Sequence, residues 1–339
     1  MTQSAHNHPC PSRVTQVRPA ALPSNSAAPQ GAFDVFGVSQ LINGIKGVRI
    51  RRAVAVTATA GAVFTTGALT AAPAQAVTAP TIVAAGGYLM NNANGATLYT
   101  KAADTKRATG STTKIMTAKV VLSQPNLNLD AKVTVQKAYS DYIVSKNASS
   151  ARLIVGDKVT VRQLLYGLML PSGCDAAYAL ADKFGTGTTR AARVSSFIGK
   201  MNTTARQLGM TNTKFDSFDG ISNGSNYSTP RDLTKLASNS MKNATFRALV
   251  KTKSTKQKVT TANNGYRYYT WTNTNTLLSN YSGAIGVKTG SGSIAKYCLV
   301  FAATRNGKTV IGTVLTSTSA AQREADAKRL LNYGFARLG

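Results

Sequence analysis

The stretch Ser111-Thr112-Thr113-Lys114-Ile115-Met116-Thr117-Ala118-Lys119-Val120-Val121-Leu122 decides how this chain is read. Ile115, Met116, Ala118, Val120, Val121 and Leu122 leave little polar face, and the only charges are Lys114 and Lys119. A helix that is apolar on most sides lies inside a core. At its start, Ser111 and Lys114 stand three residues apart, which on a helix puts their side chains on one face, about 5–6 Å apart at Cβ. The scarce residues show why that pair matters. Both histidines, His6 and His8, precede any globular pattern, and Glu324 is the only glutamate. Of the cysteines, Cys10 shares the histidines' region, leaving Cys174 and Cys298. If the first segment is removed on export, no histidine remains. A Ser-His-Asp triad, a Cys-His dyad and histidine-bound zinc are then excluded. A lysine can serve as base instead when burial or a neighbouring cation holds it uncharged.

Around this helix the chain has 339 residues, 40 Lys and Arg against 12 Asp and Glu, a net charge of +28 and 43% hydrophobic residues. That length holds one large domain or two ordinary ones, and either buries a real core. The apolar content excludes a disordered chain, and no stretch reads as a membrane span. Residues 1–47 are rich in Pro, Ser, Asn and Ala, without periodicity. Arg49-Ile50-Arg51-Arg52 then precedes a mildly apolar run from Ala53 to Ala72, followed by Ala74-Gln75-Ala76. A positive end, an apolar middle and a small-residue exit make a secretory signal peptide, with its core at about 48–76. Five threonines and two glycines dilute the run too far for an anchor. Cleavage is expected after Ala76. The segment ahead of the arginines is too long for an ordinary signal, so translation is expected to begin near Val48. Loss of residues 1–76 leaves 34 basic and 11 acidic residues, a net +23. Such a surplus favours anionic wall polymers or a membrane surface; charge for solubility alone explains it equally well. The basic residues are scattered and no nucleic-acid motif is present, so nucleic acid is not an expected partner.

Working outward, Ile82–Met90 is strand-like, Asn94-Gly95 is a two-residue hairpin signal and Ala96–Thr100 returns. Val161–Leu170 carries Leu164, Leu165, Leu168 and Met169 on one helical face and stops at Pro171. Asp175–Phe184 is a helix closed by Gly185. Val194, Phe197, Ile198, Met201, Ala205 and Leu208 mark another, ended by Gly209. Thr229 is an N-cap with Pro230 at the first helical position. Strands return at Gly286–Lys288, Tyr297–Thr304 and Thr309–Leu315, with Asn306-Gly307 as a turn, before a closing helix from about Ala321 to Phe335. Strands at both ends with helices between predict one sheet built from both chain ends beside a helical lobe. No internal repeat and no interdomain linker follow Val77.

Three short motifs carry chemistry. Ser-x-x-Lys occurs at Ser111–Lys114 and again at Ser293-Ile294-Ala295-Lys296. The second enters a strand, where residues three apart point to opposite faces, and is discarded. Ser111 instead opens a buried helix, whose free backbone N–H groups can hold an oxyanion. Lys288-Thr289-Gly290 follows the strand-like Ile285-Gly286-Val287. On a cleft edge, the lysine and threonine can bind a carboxylate, and the glycine lets a substrate backbone come close; a solvated turn is the plain alternative. Pro171-Ser172-Gly173-Cys174-Asp175-Ala176-Ala177 is a tight turn between two helices, in which Asp175 as a cap is the plain alternative.

In this order the motifs resemble the penicillin-recognising serine enzymes, whose signature is Ser-x-x-Lys, then Ser-x-Asn, then Lys-Thr-Gly. Among these the chain looks like the low-molecular-mass penicillin-binding proteins that are D-alanyl-D-alanine carboxypeptidases, from about Thr81 to Phe335. Leu164-Leu165-Tyr166-Gly167-Leu168, Met201-Asn202, Ala205-Arg206, Leu208-Gly209-Met210 and Gly286-Val287-Lys288-Thr289-Gly290 carry the resemblance further. Cys174 departs from it, standing where the family has asparagine. A true Ser-x-Asn, Ser145-Lys146-Asn147, precedes the two-helix turn that presents the motif and is rejected. Cysteine donates and accepts hydrogen bonds poorly, and losing one such bond costs about 1 kcal/mol. The departure bears on efficiency and on the balance of hydrolysis and transfer. The resemblance implies an α+β fold of the β-lactamase/transpeptidase type: an antiparallel sheet from both chain ends flanked by helices, plus an all-helical lobe. Residues 1–76 are then a leader and 77–339 a single catalytic domain, with an α/β lobe at about 77–140 and 245–339 and a helical lobe at about 141–244.

The resemblance further implies that Ser111 attacks the penultimate D-alanine carbonyl of a stem peptide ending D-Ala-D-Ala. Lys114 is the base, beside the second cation Lys288, and Ser172 relays the proton to the leaving amine. Cys174, Lys288, Thr289, Gly290 and Ser291 bind substrate. Lys288 and Thr289 take the terminal carboxylate, and the backbone N–H groups of Ser111 and Ser291 form the oxyanion hole. Water yields a carboxypeptidase product, and an amine from another stem yields a cross-link. Peptidoglycan stem peptides and β-lactams are the implied partners, no cofactor and no metal are implied, and the location is exported, at the outer membrane face or wall. A class A β-lactamase needs a deacylating glutamate, and Glu324 falls in the closing helix. A non-catalytic basic wall-binding module leaves both lysines beside both serines unexplained. Cys174 and Cys298 are read as free thiols, although export permits a disulfide. The chain stops soon after the closing helix, so the β-rich C-terminal domain and amphipathic tail of many family members are expected to be absent.

Overall fold

The computed structural model describes residues 77–222 and 224–339. The leader, with its signal-peptide and start-site expectations, lies outside the described residues. Strands β1 (Gly86–Asn91) and β2 (Thr97–Lys101) come first. A 3-10 turn at Gly110–Thr113 then runs into α1 (Lys114–Leu122). Next are β3 (Lys132–Thr134), α2 (Lys137–Lys146), β4 (Lys158–Thr160), α3 (Val161–Met169), α4 (Cys174–Phe184) and α5 (Arg190–Gln207). Helices α6 (Pro230–Ser240) and α7 (Ala244–Lys251) precede β5 (Ser254–Thr260), β6 (Tyr266–Thr272) and the short α8 (Leu277–Asn280). The chain closes with β7 (Ala284–Gly292), β8 (Lys296–Arg305), β9 (Lys308–Ser317) and α9 (Ala320–Leu338). No helix among the described residues is long and apolar enough to cross a membrane.

Both chain ends build one antiparallel sheet, in the order β2-β1-β9-β8-β7. Its closure is the pairing of β1 with β9, from Gly86 opposite Leu315 to Asn91 opposite Val310. The expected α+β class and the two-ended antiparallel sheet hold. Leu89, Leu299, Phe301, Val310 and Val314 turn one sheet face onto Ala327, Leu330 and Leu331 of α9. Asp326 of α9 pins the chain entering β1 by accepting from Val83 N at 3.1 Å and Ala84 N at 2.7 Å. Asn306-Gly307 forms the expected two-residue turn, both residues at positive φ, +48° and +73°. Asn94-Gly95 does not. Those strands stop at Asn91 and resume at Thr97. In between, Asn91 Oδ1 accepts from Ala93 N and Asn94 Oδ1 from Ala96 N, both at 3.0 Å. Local side-chain bonds of this kind replace ladder bonds and widen the turn.

Helix α1 is the buried pivot that its composition predicts, with Ile115, Met116, Ala118, Val120 and Val121 at 2% exposure or less. A second antiparallel sheet, β3-β4-β5-β6, goes beyond the expected fold; of it only β4 falls within the helical lobe expected at about 141–244, and the other three strands flank that stretch. Val133, Val159, Val259, Tyr269 and Trp271 face inward, and Trp271 Nε1 donates to Ala151 O at 2.8 Å. Strands β3 and β4 have three residues each, too short for a period of two to register, and β5 buries only one apolar side chain.

The turn between α3 and α4 is held by a buried carboxylate. Asp175 Oδ1 accepts from Ala151 N at 2.8 Å and Ala176 N at 2.9 Å, while Oδ2 accepts from Ser150 Oγ at 2.7 Å and Leu153 N at 3.1 Å. It is not the cap, which is Gly173 without a side-chain bond; Asp175 sits in the first turn of α4 and ties the 150–153 loop to that helix. Hydrogen bonds to a charged group contribute about 1.5–3 kcal/mol each. Asp175→Asn, which turns acceptors into donors facing N–H groups, should lower stability by about 3 kcal/mol in urea denaturation. An unchanged midpoint would show that the carboxylate does not hold this loop.

Candidate active site

The sequence places Ser111 first in a helix; the structure places it inside the 3-10 turn, with α1 beginning at Lys114. Threonines tighten this segment. Thr112 Oγ1 donates to Thr109 O at 2.8 Å, Thr109 and Thr113 share hydroxyls at 2.8 Å, and Asn226 Nδ2 donates to both of those hydroxyls. In a 3-10 turn residues three apart eclipse one another, which aligns Ser111 with Lys114 more closely than an α-helix would. Lys114 Nζ donates to Ser111 Oγ at 2.9 Å, Cys174 Sγ at 3.2 Å and Asp219 O at 3.2 Å. Lys114 is wholly buried. Its hydrogen-bond partners are a hydroxyl, a thiol and a backbone carbonyl, with no carboxylate oxygen among them.

A second wall comes from the α3–α4 turn. Ser172 adopts φ +65°, and its buried Oγ has no partner among the described residues. Its carbonyl accepts from Ser149 Oγ at 2.7 Å, and Ser149 Oγ lies 3.5 Å from Cys174 Sγ. Burial pushes the Cys174 thiol up, with the Asp219 carboxylate acting in the same direction and Lys114 against it. Cys174 and Cys298 are both free and buried.

The third wall is β7, an edge strand of the five-stranded sheet. Lys288 is buried at 1% exposure and donates to Thr289 O at 3.1 Å. Thr289 Oγ1 lies 2.6 Å from Thr274 Oγ1. Gly290 serves a different contact from the one its sequence suggested. A Cβ there would stand 2.7 Å from Thr109 O and 3.1 Å from Thr112 N, so its bareness lets β7 close on the 3-10 turn. From the other side, a Cβ on Gly110 would stand 2.8 Å from Ser291 O and 3.0 Å from Ser291 N. The backbones bearing Ser111 and Ser291 are thereby packed together. Burial, then repulsion from Lys114, pushes Lys288 well below the ordinary 10.5, and Arg323 adds to that repulsion.

Geometry adds residues that the motifs did not include. Asp219 supplies a carbonyl to Lys114, and its carboxylate accepts from Tyr142 OH at 3.0 Å. Ser149 and Thr274 orient the second and third walls. Arg323, on α9, is 9% exposed, and its Nε has no hydrogen-bond partner among the described residues. The Gly220 that follows Asp219 is a turn signal that could have drawn attention to that segment; the other three lie in stretches with no local mark. Ser145-Lys146-Asn147 is only the exit of α2, with Asn147 in the left-handed region at φ +46°. Ser293 lies in the β7–β8 turn, and Lys296 opens β8. Glu324 is engaged by Thr276 and Asn280 and pairs with Lys328 at 2.7 Å.

Residues 73–319 match the protein family described as D-alanyl-D-alanine carboxypeptidase. A D-alanyl-D-alanine carboxypeptidase of Streptomyces sp. (strain K15) is 71% identical over 290 residues, which is 85% of this chain and 100% of that one. The crystal structure of the Streptomyces K15 DD-transpeptidase, at 75% identity, has a TM-score of 0.76 and covers 77% of this chain and 100% of that one. DacF of Bacillus subtilis (strain 168), a D-alanyl-D-alanine carboxypeptidase, is 30% identical over 250 residues, 73% of this chain and 61% of that one.

The buried lysine of β7 sets a pH dependence. Lys288 has a lower pKa folded than unfolded, so between the two values the unfolded chain binds more protons and stability rises with pH. The penalty is full below the folded pKa and gone above 10.5. Lys288→Met should therefore be more stable than the parent near neutrality, with the gap closing as pH rises toward 10.5. Urea midpoints across that range check this, and a gap that ignores pH would contradict it.

Proposed function

The chain belongs to the D-alanyl-D-alanine carboxypeptidase family, and on that premise we propose that Ser111, Lys114 and Ser172 carry out its serine acyl transfer. The enzyme is a penicillin-binding D-Ala-D-Ala carboxypeptidase/DD-transpeptidase, and its cell-wall substrate lies outside the cytoplasm. Ser111 Oγ attacks the carbonyl of the penultimate D-alanine while Lys114 Nζ, 2.9 Å away, takes the hydroxyl proton. The oxyanion forms against the backbone N–H groups of Ser111 and Ser291. Support for that pair comes from the close packing at Gly110, which brings the two backbones together. Breaking of the C–N bond sends the electron pair to the departing D-alanine nitrogen, and the buried, unpartnered Ser172 hydroxyl hands it a proton that Lys114 replaces. Preorganised donors of this kind stabilise charge as it develops.

Lys288, Thr289 and Arg323 bind the terminal carboxylate. A cation buried without a carboxylate partner is costly, and an incoming anion relieves that cost for Lys288 and Arg323 together. Cys174 stands at the third position of the second motif and touches Lys114, where it contributes a weak acceptor. Water or an amine then opens the acyl-enzyme. A signal peptide at about 48–76, with export to the wall, completes the reading. The observation that carries it is the wholly buried Lys114 Nζ joining Ser111 Oγ to Cys174 Sγ.

Ser111→Ala should abolish covalent labelling by a fluorescent penicillin, and surviving label would remove Ser111 as the nucleophile. Cys174→Asn should keep the label while changing the ratio of hydrolysis to transfer on a D-Ala-D-Ala peptide with added glycine-type amines. The same ratio in both enzymes would reduce Cys174 to packing.

A further inference from the structure

The outer face of the β3-β4-β5-β6 sheet gathers basic and aromatic side chains that the sequence scatters over more than a hundred positions. Register places Lys132 opposite Thr160, Lys158 opposite Thr260, and Lys258 opposite Tyr268. Neighbouring strands lie about 4.8 Å apart, so Lys132, Lys158, Lys256 and Lys258 share one surface. None of the four strands contains Asp or Glu, and none of these lysines has a carboxylate within 4.0 Å among the described residues. Tyr266 and Tyr268 are 63% and 50% exposed. Lys258 Nζ sits 4.2 Å from the Tyr266 ring centre, and Lys256 Nζ sits 4.6 Å from that of Tyr268. Threonines fill most of the remaining outward positions.

We propose that this sheet face is a docking surface for a phosphodiester-linked, hydroxyl-rich wall polymer, separate from the acyl-transfer site. The choice of a wall component rests on the peptidoglycan reading above; the surface itself does not. Four positive charges with no negative neighbour complement a polyanion. The cations are all lysine. Arginine's planar fork fixes a bidentate geometry on carboxylate or phosphate, whereas lysine is a mobile point charge that can follow phosphates along a flexible chain. Threonine and tyrosine hydroxyls supply donors and acceptors for polyol oxygens. A lipid surface fits less well, because the outward positions hold no aliphatic side chain to insert. Single-stranded nucleic acid stacks its bases on free aromatic faces, and here each tyrosine already has an ammonium over its ring.

The test is co-sedimentation of the full chain with bacterial walls bearing phosphodiester-linked polymer, and with the same walls stripped by hydrofluoric acid. Replacing Lys132, Lys158, Lys256 and Lys258 by Gln should weaken binding at least about tenfold and flatten its salt dependence, as expected when phosphate contacts are lost. Replacing the exposed Lys106, Lys214, Lys242 and Lys308 by Gln removes the same charge elsewhere and should leave binding near the parent's. Stripped walls, which keep the peptidoglycan but lose the phosphodiester polymer, should bind at least about tenfold more weakly. Both variants should keep penicillin labelling of Ser111, which shows that they fold. The proposal fails if the sheet variant binds like the parent, if the control variant loses as much, if stripped walls bind equally, or if anionic vesicles or single-stranded DNA bind as tightly. If wall binding depends on the patch while the parent takes no penicillin, the catalytic reading falls and the docking surface stands.

Discussion

The rest of the site depends on one constraint: the amine of Lys114, held in the interior by a hydroxyl, a thiol and a backbone carbonyl. A polar group taken out of water is costly unless it finds hydrogen-bond partners, and these three supply them without a carboxylate. The surrounding architecture keeps it there. Helix α1 is buried on nearly every side, so Lys114 cannot swing outward to solvent. The threonines at 109, 112, 113 and 117 bind the turn and helix to fixed backbone and side-chain acceptors, including Phe218 O, which accepts from Thr117 Oγ1 at 2.5 Å.

Close backbone packing then brings the sheet to the helix. Gly110 and Gly290 are bare where any Cβ would strike the opposing chain, so the edge strand carrying Lys288 and Thr289 lies directly against the turn carrying Ser111. Lys288 adds a second buried cation, and Arg323 a third positive group within electrostatic reach of it. The site therefore gathers basic groups before substrate arrives, and a carboxylate-bearing ligand is drawn to it. An anionic peptide terminus or a penicillin carboxylate both meet that requirement.

Charge is distributed in two regimes. The cations of the site are buried and few, and act through proximity. Those on the β3-β4-β5-β6 face lie at the surface, Lys158 half-buried and the other three exposed, where screening by salt limits each to a small contribution and only their number counts. One protein thus carries a focused electrostatic device and a diffuse one, on different elements.

What the linear chain determined by itself was local. Ser111 and Lys114 are three residues apart, and any helical turn unites them. Thr229-Pro230 and Asn306-Gly307 encode their own geometry through fixed torsions, and α1 announces its burial by lacking a polar face. The Lys-Thr-Gly strand was legible as a motif, although the use of Gly290 for packing was not. The tertiary structure decided everything that crosses sequence distance. Cys174 Sγ and Asp219 O reach Lys114 across 60 and 105 residues; Thr274, Ser149 and Arg323 have no local signature that marks them for a cleft. The second sheet stayed hidden for a related reason: strands of three residues have too little periodicity to declare themselves, and they exist because neighbours supply their hydrogen bonds and their buried face. Local torsional and spacing preferences are written in consecutive residues, whereas burial and cross-chain contact are properties of what the fold brings alongside.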